Sequence, residues 1–320
     1  MRRPTCTAVF SLAAALIAAS LVQGASVQTI ANPVPNGAIK IDGNVSDWLG
    51  VTKYTADAVG DGSSGPARPL DIDILQGAVA HDANFFYFLY RNTADGMIDV
   101  ASNWIFIDLD RNQTTGQNSI PGTTAIGMEF NLGGTGGWNA WSPTGAFAGP
   151  AAGRTVAVGD SDNSGGADFL EYAVSRTAAQ PNGVTFNPIG GSSFDLLFAA
   201  EDTVLDNHPN NGDQDYFTYD ASGTYNPGVP GDANNSGTVN MADYLIIQAH
   251  SFTPQPFGTN GDVDDSGFVD FADFQQWKSF FPGGVAAAEA AIASLPEPSS
   301  AVLLVAAGLS LAARRRTKRA

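Results

Sequence analysis

Residues 84–92 read NFFYFLYRN, and residues 104–110 read WIFIDLD. Both runs are short, aromatic or β-branched, and bounded by Asn, Asp or Gly. That composition suits a half-buried pleated strand better than a helix. The pattern continues in both directions, from about Ile30 to Asp220: DIDILQGAVAHD, AIGMEFNL, TVAVG, FLEYAVS, FDLLFAAED and DYFTYD. Several runs alternate with period two, and Gly, Asn, Asp and Pro separate them. Many short strands with no helical pattern between them predict a mainly β fold, an antiparallel β-sandwich over 26–222.

Charge narrows the partners. The chain has 320 residues, with 15 Lys+Arg against 32 Asp+Glu. Seven of the basic residues are terminal: Arg2, Arg3, Arg314, Arg315, Arg316, Lys318 and Arg319. Eight remain for the rest of the chain, so its surface repels nucleic acid and favours cations. The one cysteine, Cys6, lies in MRRPTCTAVFSLAAALIAASLVQGAS, where two arginines precede an apolar run and then small residues. This is the pattern of a secretory signal peptide, 1–25. Its removal leaves no thiol, disulfide or thiolate site.

At the other end, Pro296, Glu297 and Pro298 precede an apolar run from Ala301 to Ala313 and five closing basic residues. The run is short for a permanent span. Residues 296–320 resemble the PEP-CTERM sorting signal. That resemblance implies an exosortase-type processing enzyme, transient anchoring in the inner membrane, and export to the cell surface or extracellular matrix.

Between linkers at 223–229 and 284–295 the chain says nearly the same thing twice. GDANNSGTVNMADY begins at Gly231 and GDVDDSGFVDFADF at Gly261. Oxygen-bearing residues fall at positions 1, 3, 5, 9 and 12: Asp232, Asn234, Ser236, Asn240 and Asp243, then Asp262, Asp264, Ser266, Asp270 and Asp273. Gly237 and Gly267 hold position 6, where a calcium loop turns sharply, and Thr238 and Phe268 at position 7 each lend a carbonyl. Val239 and Val269 at position 8 are expected to pair the loops back to back. A helical pattern follows each loop, with Phe271, Phe274, Trp277 and Phe281 forming a stripe. Pro and Gly precede each loop, so no entering helix fits. Residues 230–283 resemble a type I dockerin, which implies calcium as cofactor and a cohesin-like protein partner. The family's usual Ser-Thr pair at positions 10 and 11 is replaced by Met241-Ala242 and Phe271-Ala272.

In the strand region, IKIDGNVSDW (39–48), NFFYFLYRN, WIFIDLDRNQTTG (104–116), TAIGMEFNL (124–132) and DFLEYAVSR (168–176) occur in order. Together they resemble family 9 carbohydrate-binding modules and DOMON-like sandwiches, which implies a polysaccharide ligand; some of those relatives bind haem. Read alone, Asp47 and Trp48 are structural, the indole capping the core. Asp108 and Asp110 share a strand face and need a cation, a proton or water. Trp138 and Trp141 could present an aromatic platform to a sugar if their Gly-rich segment is a loop; on a strand they point to opposite faces, and core packing or loop anchoring is the preferred reading of both. DSDNSGGADFLE (160–171) spaces Asp160, Asp162, Ser164, Asp168 and Glu171 as calcium ligands, or is a polar hairpin turn.

Catalytic signals are sparse. His81, His208 and His250 are far apart, and no G-x-S-x-G, H-E-x-x-H or P-loop occurs. A glycosidase needs only two carboxylates, for which Glu129, Glu171 and Glu201 are the candidates. The reading is therefore a secreted, surface-sorted, non-catalytic protein that binds polysaccharide or matrix and carries a calcium module. The rivals are a polysaccharide-degrading enzyme with its own dockerin and a purely structural surface protein.

Overall fold

The computed structural model describes residues 26–57, 74–92, 103–117, 126–133, 138–160, 168–200, 206–208 and 216–295. The signal-peptide and sorting-motif expectations, with Pro296, Glu297 and Pro298, lie outside them, as do Asp162, Ser164 and Glu201. Among the described residues the fold is mainly β. The strands are β1 (Ser26–Ile30), β2 (Ile74–His81), β3 (Phe85–Asn92), β4 (Asn103–Asp108), β5 (Phe130–Gly133), β6 (Trp138–Trp141), β7 (Phe147–Pro150), β8 (Arg154–Gly159), β9 (Phe169–Ser175), β10 (Ser193–Ala200), β11 (Asp206–His208) and β12 (Tyr216–Asp220).

They form two sheets. The larger runs β1-β12-β10-β4-β5-β6-β7, with β11 on β10; the smaller runs β2-β3-β9-β8. Alternation along the strands sends one set of side chains between the sheets. Phe86 and Phe88 from β3 meet Phe194 and Phe198 from β10, and Phe130, Leu132 and Trp138 join the same buried cluster. Phe86 crosses Phe194 edge-to-face at 5.3 Å, a favourable aromatic geometry. The antiparallel expectation needs one correction. β1 pairs β12 in parallel, because the chain's first strand returns beside its last with the whole domain as the crossover.

Three elements depart from the sequence reading. The Gly-rich segment expected as a loop is the hairpin β6–β7, in which Trp138 and Trp141 belong to a paired strand. Residues 284–295, expected as a linker, contain helix α3 below; GVAAAEAAIA is Ala-rich and free of Pro, which favours helix over coil. Val269 does not pair with Val239. It exchanges backbone hydrogen bonds with Phe252 and Thr253 instead, and both valines are buried in one small core.

That core belongs to the C-terminal segment. Helices α1 (Met241–His250), α2 (Phe271–Phe280) and α3 (Gly284–Ala293) bury Ile247, Trp277 and Ala288 together. Phe274 and Phe281 pack against it, while Phe271 of the expected stripe stays exposed at the start of its helix. The segment leans on the β domain. Phe257, between the two repeats, is buried in the inter-sheet core cluster, and the backbones of Gly50 and Gly267 nearly touch.

The first turn of the β domain is fixed by one buried carboxylate. The indole Nε1 of fully buried Trp48 donates to Glu171 Oε1 at 2.7 Å, and the Gly43 amide donates to Glu171 Oε2 at 2.8 Å. Burial nevertheless dominates and pushes Glu171 up to about 7 from an ordinary 4.5, with Asp47 and Asp42 adding repulsion. The folded state then binds the extra proton between those values. Stability must fall as pH rises through that window and be flat above it. Thermal unfolding of the wild type should lose ground relative to Glu171→Gln between about pH 5 and pH 7.5. A difference constant across that range would mean that Glu171 folds ionised.

Candidate metal centre

The two repeats fold alike because the same carboxylates collect the same amides. In the first, Asp232 accepts from Ser236 N at 3.0 Å and Gly237 N at 2.6 Å, and Asp243 accepts from Asn234 N at 3.2 Å and Asn240 N at 2.7 Å. In the second, Asp262 accepts from Ser266 N and Gly267 N, each at 2.9 Å, and Asp273 from Val263 N at 2.8 Å, Asp264 N at 3.1 Å and Asp270 N at 2.7 Å. Each aspartate at position 1 or 12 is buried. Position 9 serves the helix: Asn240 and Asp270 are N-caps, accepting from Ala242 N and Ala272 N, with a capping box completed by Asp243 and Asp273. Ser236 and Ser266 hydroxyls donate to the carbonyls of Thr238 and Phe268.

The copies differ in charge. Carboxylate oxygens of Asp262, Asp264 and Asp273 lie within 4.8 Å of one another; in the first loop Asn234 stands where Asp264 stands in the second. Burial raises the pKa of both Asp262 and Asp273, each helped by a neighbouring carboxylate and opposed by the amides they accept. Hard oxygen ligands without nitrogen or sulfur suit calcium or magnesium.

A second acidic group lies on the outer face of the larger sheet, where β4 ends and β5 begins. Oxygens of Asp108, Asp110 and Glu129 lie within 4.8 Å of one another. The expectation for Asp108 and Asp110 thus gains a third member, Glu129, which sequence spacing could not supply because the β4–β5 pairing brings it there. Burial first, then the charges of Glu129 and Asp110, lift Asp108 to about 9. Burial lifts Glu129 to about 7 against the stabilising Leu109 amide. Along the same face lie Trp104, Phe106, Leu197, Tyr216 and Trp141, with Trp141 Nε1 donating to Asn131 Oδ1 at 3.0 Å.

Other expected sites are not assembled. Trp138 faces the core, stacked on Phe130 at 5.5 Å, so strand alternation parts it from Trp141 and no two-tryptophan platform forms. Trp141 instead meets the exposed ring of Phe147 at 5.6 Å. In the 160–171 stretch, Asp162 and Ser164 lie outside the described residues, Asp160 follows β8 and Asp168 precedes β9, and the two oxygens of Glu171 accept from Trp48 and Gly43. That carboxylate thus serves the first turn of the β domain. Glu129 and Glu171, two of the three candidate carboxylates for glycoside cleavage, lie on different sheets, and the third, Glu201, is outside the described residues. The sequence matches no known protein family, and comparison with characterised proteins gives no match either.

Position 6 should distinguish the two loops. Both glycines have left-handed backbones, φ 83° at Gly237 and 81° at Gly267, which a side chain adopts at a cost of about 1–2 kcal/mol. A Cβ at Gly237 meets nothing within 4 Å, whereas one at Gly267 lies 2.9 Å from Gly50 N. Gly267→Ala should therefore lower the denaturation midpoint clearly more than Gly237→Ala. Equal losses would show that the second loop does not rest on the β domain.

Proposed function

We propose that this chain is a non-catalytic attachment protein of the cell exterior, with a β domain that holds polysaccharide and a calcium-dependent, dockerin-like docking module. One observation carries the module: two loops thirty residues apart repeat a single hydrogen-bond plan, position for position, around buried aspartates at positions 1 and 12. Asp232, Asn234, Ser236, Asp243 and the Thr238 carbonyl would hold the first calcium. Asp262, Asp264, Ser266, Asp273 and the Phe268 carbonyl would hold the second. Calcium there replaces protons and amides as the neutralising partner and ties each loop to the helix it caps. Export, sorting by Pro296-Glu297-Pro298 and exosortase processing rest on the terminal sequence patterns alone.

Polysaccharide binding is supported by the outer face of the larger sheet. Phe147 is exposed and Trp104 and Trp141 are half-buried, so their rings give surface for the C–H faces of sugars, while buried Tyr216 packs in the same cluster and buried Asn131 orients Trp141. Among the described residues, Phe271, at position 10 of the second loop, and Phe252, after α1, are the most exposed large apolar side chains of the helical segment, which suits a docking surface.

Two experiments test the two halves. Trp141→Ala and Phe147→Ala should each weaken retention on a polysaccharide affinity gel several-fold while Trp48 fluorescence stays native. If no polysaccharide in a broad panel retards the wild type, the β domain has another role. In a calorimetric titration, calcium should bind the loops in two steps, with the more acidic second loop filling first because ligand charge tunes affinity. Asp262→Ala should remove the tighter step and perturb Trp277, and Asp232→Ala should spare it. Loss of the tighter step in Asp232→Ala would reverse the assignment.

A further inference from the structure

We propose that Asp108, Asp110 and Glu129 form an additional calcium site in the β domain, separate from the two loops. Geometry brings the three together from different stretches. Asp108 ends β4, Asp110 lies just beyond it, and Glu129 is drawn in by its own amide, which donates to the Ile107 carbonyl at 3.0 Å. One oxygen from each lies within 4.8 Å of the others. Oxygens sharing one calcium at 2.3–2.6 Å are at most about 5 Å apart, so the set closes on an ion without rebuilding the strands.

A cluster of acids alone would not point to an ion. The hydrogen bonding does. Asp108 is 1% exposed and Glu129 3%, yet Asp108 Oδ2 and Glu129 Oε1 are buried with no hydrogen-bond partner among the described residues. Their other oxygens are served by Asn112 N at 3.3 Å and Leu109 N at 2.8 Å. The contrast with the aspartates of the repeats is direct: there both oxygens of each buried carboxylate accept amides. Two bare oxygens on neighbouring buried carboxylates are costly unless something positive lies between them. The guanidinium of Arg111, three residues on, is aimed at Asp195, with its Nε at 3.1 Å. Burial also argues against an acid–base pair, which would have to touch its substrate.

The loop that follows is suited to hold the third ligand in place. Asp110 Oδ1 accepts from Asn112 N at 2.9 Å, and the Thr115 hydroxyl donates to Asp110 at 2.9 Å. Gly116 N in turn donates to the Pro143 carbonyl at 3.0 Å, and Trp141 N to the Glu129 carbonyl at 2.9 Å. An ion here would clamp the end of β4 to the start of β5, whose neighbour β6 carries half-buried Trp141 against exposed Phe147. This inference does not depend on the calcium loops or on sugar binding.

The test counts calcium ions per chain by calorimetric titration of the wild type, Asp108→Asn and Asp110→Asn, with circular dichroism to establish folding. Asp110 is half-buried, so its amide variant remains informative if Asp108→Asn fails to fold. The expected result is one ion fewer in each folded variant, whatever number the loops hold, and a smaller thermal gain on adding calcium. An unchanged count in a folded variant, or a missing ion restored only by magnesium, would overturn the proposal.

Discussion

Buried carboxylates and the scarcity of cations to meet them govern this molecule. Among the described residues eleven carboxylates are buried, against one lysine, Lys278. A buried ionised carboxylate without a partner is expensive, so each must find amides, a hydroxyl, a proton or an ion. Asp82 shows the first solution: amides of Gly37, Asn84 and Phe85 and the Tyr87 hydroxyl all donate to it, and its pKa falls despite burial. Glu171 shows an intermediate one, with an indole and one amide and a raised pKa. Asp108 and Glu129 show the extreme.

The same currency ties the two parts of the chain together. The second of the repeated loops is where the helical segment meets the β domain. Gly258, whose amide donates to Asp262 at 3.2 Å, follows Phe257, and Phe257 is seated in the inter-sheet core. Gly50 and Gly267 approach so closely that neither tolerates a side chain without displacement. Charge state at Asp262 and Asp273 is thereby linked to how firmly the segment sits, whereas the first loop, with fewer carboxylates and open space at Gly237, is freer of that constraint.

Much of the β fold was legible because its strands are chemically loud. Runs such as Phe85–Asn92 and Phe169–Ser175 carry aromatic and aliphatic side chains on both faces and admit little else. The quiet elements escaped. β7, with FAGP, has no strand pattern and exists because β6 offers it an edge. α3 reads as spacer until Ala288 is buried and Glu289 meets Lys278 at 2.6 Å. The likeness of the duplicated loops was legible in the sequence, and the structure gives both a matching set of local hydrogen bonds. Glu129 was not, because its role depends on a pairing between strands. For Trp138 the sequence left core packing and a sugar platform both open, and the register of a hairpin that glycines concealed puts it in the core.

Calorimetric unfolding of the chain in chelator and again in saturating calcium tests most directly whether buried carboxylates make the fold cation-dependent. If they do, calcium should raise the unfolding temperature of both the β domain and the helical segment, with the helical segment gaining more. A trace that calcium leaves unchanged would mean that amides and protons alone satisfy these groups, and would contradict the cation-centred view of both sites.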